Sequence, residues 1–202
     1  LTASICLVQD NFIILAAVVF ERIFHMADWH IERDQNCQYW LKAEGIGVFP
    51  AIIGKAGLIA GTRKREGDMA TPVGRWAFRH LYYRQDLLGE VECVIPKSSI
   101  TPQCGWCDDP AHDEYNRLVK LPFSASHEMM WRDDGAYDLV VPLGFNDAPP
   151  EPGRGSAIFL HCIASGKAYT AGCVALARAD LLVLLRHSDI DQCLNIDATL
   201  LF

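Results

Sequence analysis

A mainly β fold, sandwich- or barrel-like with one or two short helices, is predicted by three features of the chain. Short apolar, aromatic or β-branched runs recur along it; Gly, Pro, Asp or Asn bounds most of them; and clear amphipathic helical spacing is rare. In order, the strand-like runs are 37–42, 46–53, 58–62, 76–83, 92–95, 137–143, 157–161 and 173–176. The aromatics Trp76, Phe78, Tyr82 and Tyr83 read as core of the fourth run. A helix is expected over 177–186, where Leu181, Leu182, Leu184 and Leu185 make an apolar face, with Asp180 early and Arg186 late to suit the helix dipole. A second, weaker helical pattern covers 124–132, with Ser126 as a possible cap.

The chain has 202 residues, half of them apolar, enough for one sizeable core. Its net charge is −7, from 18 Lys+Arg and 25 Asp+Glu, with no basic block, which argues against nucleic acid and anionic membranes as partners. The longest apolar run, Phe12 to Phe20, has nine residues, far below the roughly 20 needed to span a bilayer, so no stable membrane insertion is expected. It also lacks the basic flank and small-x-small site of an export signal. Residues 1–36 are therefore expected to be an N-terminal extension outside the core, and 37–202 the functional domain.

The sharpest chemical signal is a His–Cys pair. Ile158-Phe-Leu-His161 is an apolar run that delivers an imidazole to a strand end, and Ala171-Gly172-Cys173-Val-Ala-Leu is a small-residue turn opening a strand with a thiol. On neighbouring strands the imidazole of His161 can take the proton of Cys173 and create a thiolate nucleophile. The same turn places the N–H groups of Gly172 and Cys173 where an oxyanion would form, and Thr170 offers a hydroxyl to orient the imidazole or a substrate carbonyl. Buried structural Cys and His are the alternative reading of this pair.

Eight cysteines lie scattered, without the dense spacing of a disulfide scaffold. A nucleophilic Cys173 leaves an odd seven, so free thiols are expected. Cys104-Gly-Trp-Cys107 has redox or zinc spacing, yet Asp108-Asp-Pro110 follows it as a turn, and zinc would need two further ligands such as Cys93 and His112. No metal and no cofactor is expected. Arg154, just before the His161 strand, is a candidate for gripping a substrate carboxylate, and Asn146 and Tyr137 are candidate substrate or histidine-orienting groups.

Several motifs together resemble one family. They are Lys64-Arg-Glu-Gly-Asp68, Thr71-Pro-Val-Gly74, Gly105-Trp-Cys-Asp-Asp-Pro110, Tyr115-Asn-Arg117, Trp131-Arg-Asp133, Leu143-Gly-Phe-Asn-Asp147, Pro152-Gly-Arg-Gly-Ser156, Ile158-Phe-Leu-His161 and Thr170-Ala-Gly-Cys-Val-Ala-Leu176. Over about residues 46–187 the chain is similar to the L,D-transpeptidase (YkuD-like) catalytic domain, in particular its short single-domain bacterial branch. The resemblance implies a β-rich sandwich with a cleft, a nucleophile at Cys173, and a base at His161. It also implies peptidoglycan stem peptides as partners, a thioester acyl-enzyme, cell-wall cross-linking, and a place in the cell envelope.

Two departures from the widespread Ser/Thr-His-Gly-Cys motif stand out: Ala171 replaces its histidine, and Ala175 or Leu176 stands where Arg or Asn follows. They leave open a thiol hydrolase of the same fold, carboxypeptidase- or amidase-like, and a non-catalytic peptidoglycan-binding module. The segment Gly67 to Gly74 reads as structural, since its Gly and Pro suit a turn entering a strand.

Overall fold

The computed structural model describes residues 27–202, so the apolar run at 12–20 lies outside the described residues. The first strands are β1 (Trp29–Arg33), β2 (Tyr39–Ala43), β3 (Gly47–Ile52), β4 (Leu58–Ala60), β5 (Thr71–Ala77) and β6 (Leu81–Tyr83). A single helical turn α1 (Gln85–Leu88) leads to β7 (Lys97–Ser99), β8 (Cys104–Cys107), β9 (Leu118–Lys120), β10 (His127–Met129) and β11 (Leu139–Pro142). The chain ends with β12 (Phe159–Cys162), β13 (Val174–Leu176), helix α2 (Arg178–Arg186), β14 (Cys193–Ile196) and a 3₁₀ turn at Ala198–Leu201. The mainly β expectation holds. None of the described helices is long and apolar enough to cross a membrane.

Among the described residues, eleven strands form one sheet in the order β4-β5-β14-β1-β2-β3-β13-β12-β11-β6-β7. A sheet this wide curls rather than staying open. Hydrogen bonds Gly144 N–H to Ala77 O (2.8 Å) and Arg79 N–H to Pro142 O (3.1 Å) tie the β5–β6 connection to the end of β11. The two arms thus share one core, with Trp29 and Leu194 from one arm and Leu81, Leu139 and Leu160 from the other fully buried in it. Leu181, Leu184 and Leu185 of α2 close that core, as the leucine spacing predicts.

The smaller sheet, β10-β8-β9, covers the opposite face of β11 and β12. Trp106 of β8 meets Phe159 of β12 edge to face, with ring centroids 5.0 Å apart. Side chains alternate along a strand. Leu160, Cys162, Val174 and Leu176 therefore enter the main core, while Phe159 and Cys173 enter the second one.

Four expectations need correction. Residues 29–33, assigned to an extension, form a strand inside the sheet: β1 pairs with β2 and β14, and Trp29 and Ile31 are buried. The run 76–83 is broken at Phe78–His80, where the chain crosses from β5 to β6. Residues 92–95 are loop, and the strand follows them at β7. The helix over 124–132 is instead β10, because β8 needs a second antiparallel partner and His127–Met129 supplies it, His127 opposite Cys107 and Met129 opposite Gly105. In β8 itself, Cys104 and Cys107 point to opposite faces of the strand.

Candidate active site

β12 and β13 run parallel, with His161 opposite Ala175. Cys173 lies two residues before Ala175, so thiol and imidazole share one face of adjacent strands, their Cα atoms about 8 Å apart from ideal sheet spacings. Both line a cleft of about 580 Å³, together with Tyr137, Glu128, Arg132, Asp108, Ser156 and Lys64. The pairing of strands inferred from sequence is therefore present.

The protonation state differs from the thiolate expected. Burial raises the Cys173 thiol to about 12, helped by the nearby Glu128 carboxylate and opposed by the Phe159 N–H and Lys64. Burial also lowers His161 to about 4, against the hydrogen bonds to the Cys162 and Ala136 carbonyls. The resting pair is thus a neutral thiol and a neutral imidazole. His161 Nδ1 lies 2.7 Å from the Cys162 carbonyl, which can only accept, so Nδ1 carries the proton and Nε2 keeps its lone pair.

No hydrogen bond joins Cys173 to His161 among the described residues. The thiol donates to the Ala157 carbonyl (3.1 Å), and Sγ accepts from the Phe159 N–H (3.3 Å). Ala157 adopts a left-handed backbone, φ 52°, uncommon for a residue with a Cβ.

The turn before the cysteine is held by its own side chains. Thr170 Oγ1 accepts from the Gly172 N–H (3.1 Å) and donates to the Cys173 carbonyl (2.7 Å). Gly172 is thus corrected as an oxyanion donor, because its N–H is already spent, and Thr170 is a turn staple rather than an imidazole orienter. The Cys173 N–H donates to no other group among the described residues, so it is the N–H of this turn left free to meet a ligand. Gly172 has φ 142°, and a Cβ there would lie 3.0 Å from the Ala70 carbonyl, so glycine is needed for both conformation and space.

The segment Gly67 to Gly74 makes the turn contacts its residues suggest, and Gly67 and Met69 also line the cleft. Asp68 accepts from Lys64 Nζ (2.6 Å) and from the N–H groups of Arg65 (2.8 Å) and Ala70 (2.9 Å), which holds its carboxyl below the usual range despite partial burial. Thr71 Oγ1 accepts from the Gly54 N–H (2.9 Å) and donates to the Cys173 carbonyl (3.3 Å), linking the motif to the Cys173 turn. The buried Lys64 ammonium is paired in this way, as a buried charge must be.

Tyr137 lies in the cleft. Its ring stands edge-on to the imidazole of His161, centroids 5.3 Å apart, and its hydroxyl donates to Glu128 (2.6 Å). Arg132 binds Asp134 through two nitrogens (3.1 and 2.5 Å) and sits 5.0 Å above the Tyr137 ring. Burial raises the Glu128 carboxyl, against the Tyr137 hydroxyl and Arg132.

Arg154 and Asn146 do not belong to this site. Arg154 bonds Glu151 (2.9 Å) and the Gly61 carbonyl (3.4 Å) and faces a separate groove with Thr62 and Arg65. Asn146 spends its amide on the Glu151 and Gly155 carbonyls (3.0 and 2.9 Å) and the Glu151 N–H (2.8 Å), closing a loop.

Sequence reasoning missed Lys64, Asp108, Glu128, Arg132 and Ser156 as cleft residues. All but Glu128 stand within the motifs quoted above, where polar residues sit between Gly, Trp and Pro. Asp108 Oδ1 and Ser156 Oγ are buried with no hydrogen-bond partner among the described residues. The described cysteines are all free, and no group of three metal-ligating side chains occurs among the described residues.

A curled β-sheet that presents a thiol and a neutral imidazole side by side in one cleft has the layout of a thiol-dependent acyl-transfer domain. The family model of the L,D-transpeptidase catalytic domain, YkuD, matches residues 28–196, and the chain belongs to this family of generally cysteine-dependent transpeptidases. No curated protein and no solved structure matches the chain.

Proposed function

We propose that this protein is a cysteine L,D-transpeptidase that cross-links peptidoglycan stem peptides in the cell envelope. The observation that carries this reading is the shared face of Cys173 and His161, with Nε2 unprotonated, in a cleft large enough for a peptide. The thiol swings from the Ala157 carbonyl toward Nε2 as the donor stem seats. Its proton passes to His161, sulfur bonds the stem carbonyl, and the negative oxygen meets the Cys173 N–H. The C–N bond breaks, His161 returns the proton to the departing amine, and a thioester remains. An amine of a second stem then attacks, regenerating the thiol.

Burial keeps the pair neutral in the resting protein, so charge separates only when substrate is present to stabilise it. The cleft is lined by the cationic side chains of Lys64, Arg132 and Lys167 and by Asp108, Glu128 and Asp134, a mixed lining suited to a zwitterionic stem peptide. Tyr137 buttresses the imidazole.

The test is mass analysis of muropeptides after incubation with wild type and Cys173→Ala. Cross-linked dimers with wild type alone are expected. Trimmed tripeptides without dimers would assign a hydrolase, and unchanged muropeptides a binding module.

A further inference from the structure

Asn116 belongs to the Tyr115-Asn-Arg117 motif and makes no contact with the thiol, yet it is bonded to the backbone that holds it. It is itself left-handed, φ 58°, and buried. Its carbonyl oxygen accepts from the Ala157 N–H (3.0 Å) and from Trp106 Nε1 (3.0 Å). Its amide donates to the Phe145 and Asn146 carbonyls (3.2 and 2.7 Å). All four hydrogen-bonding positions of the side chain are filled, which fixes it in place. Ala157, the residue it grips, has the strained left-handed backbone, and its carbonyl is the one that receives the Cys173 S–H. Tyr115 supports the same segment from one residue away, its hydroxyl accepting from the Gly155 N–H (3.1 Å) and donating to Glu66.

We propose that Asn116 is a positioning residue for the cysteine: by pinning Ala157 in its left-handed conformation it aims the carbonyl that holds the Cys173 thiol in the cleft. As a statement about the transferase reaction this rests on Cys173 being the nucleophile; as a statement about the thiol it does not. The ionisable groups around the thiol are His161 on β12, Tyr137 just before β11, Glu128 on β10 and Lys64 on the loop after β4. None belongs to the Asn116 network, so they stay when Asn116 is changed.

Loss of the side chain lets Ala157 relax out of the left-handed region, withdraws the S–H acceptor, and admits water to the sulfur. The thiol then ionises more easily, while sulfur is no longer aimed at the seated carbonyl. Reactivity toward a small alkylating agent and catalytic turnover should therefore move in opposite directions.

The test measures iodoacetamide labelling of Cys173 against pH by peptide mass analysis, on the full chain, in Asn116→Ala, Ala157→Gly and the double variant. In Asn116→Ala, labelling at pH 8.5 should rise about tenfold or more, since each unit of lowered thiol pKa raises the thiolate about tenfold. Turnover should fall about 10- to 100-fold with KM little changed, the scale of a reacting group displaced by an ångström or less. Glycine adopts φ near 50° without strain. On the Ala157→Gly background, loss of Asn116 should therefore change both readings by only a small part of those factors. Equal changes on both backgrounds, or no rise in labelling, would overturn the proposal.

Asn116→Asp keeps the acceptor for Ala157 and tolerates a left-handed backbone, so it serves if the alanine variant fails to fold. It should label as slowly as wild type, and fast labelling in folded Asn116→Asp would place the effect in the 145–146 loop and refute the proposal. The labelling readings are independent of substrate. If Cys173→Ala retained activity, the functional reading would fall while they still decided the role of Asn116.

Discussion

The thiol of Cys173 donates to the backbone carbonyl of Ala157, 3.1 Å away, rather than to the imidazole of His161 beside it. With the thiol pushed up to about 12 and the imidazole down to about 4, no ion pair forms at rest. The thiol is held neutral on the backbone, and in the proposed reaction its activation belongs to the moment of substrate docking.

Alkylation at neutral pH should accordingly be slow at Cys173. Cys37 is exposed, whereas Cys173 is buried. Iodoacetamide at pH 7.5, followed by peptide mass analysis, should label Cys37 at least about tenfold faster than Cys173. Preferential labelling of Cys173 at that pH would show a resting thiolate instead.

Stability should fall on acidification through His161. Its folded pKa, about 4, lies below the ordinary value of 6.5, so the unfolded chain takes up the proton first. The contribution is complete above pH 6.5 and is lost between pH 6.5 and 4, at up to about 1.4 kcal/mol per pH unit. Thermal melting of wild type and His161→Gln at pH 7.5, 5.5 and 4.5 checks this: the wild-type Tm should drop more steeply. Burial raises Glu128 and gives it the opposite pH trend, but this is common to both proteins and cancels in the comparison.

Two residues that sequence suggested for substrate contact should separate by stability. Arg154 sits in another groove on an exposed salt bridge with Glu151, so Arg154→Ala should leave turnover and KM within about twofold and stability within about 0.5 kcal/mol. Asn146 adopts φ 50° and closes its loop with three hydrogen bonds, so Asn146→Ala should cost about 1–3 kcal/mol in urea unfolding.

The sequence showed the pair at the heart of the site because both signals are local. An apolar run ending at His161 and a small turn before Cys173 each define a strand end, and parallel pairing of β12 and β13 brings them together. The Gly172 N–H could not be judged in the same way, since only the folded turn reveals that the Thr170 hydroxyl intercepts it. Strand β1 was legible in the alternation of Trp29 and Ile31 with His30 and Glu32, but its position beside an apolar segment obscured it. The stretch 124–132 has apolar spacing that fits a helix, and its conformation is set by the open edge of β8, a demand from outside the segment. Asn116 was invisible for the same reason, its partner Ala157 being 41 residues away.

The most direct measurement is peptide mapping of acid-quenched protein after brief exposure to a disaccharide tetrapeptide. A stem-peptide thioester on Cys173, formed by wild type and absent from Cys173→Ala, is the predicted result. Cross-linking that proceeds in Cys173→Ala, or an acyl group carried on any other residue, would contradict the central role given to that sulfur.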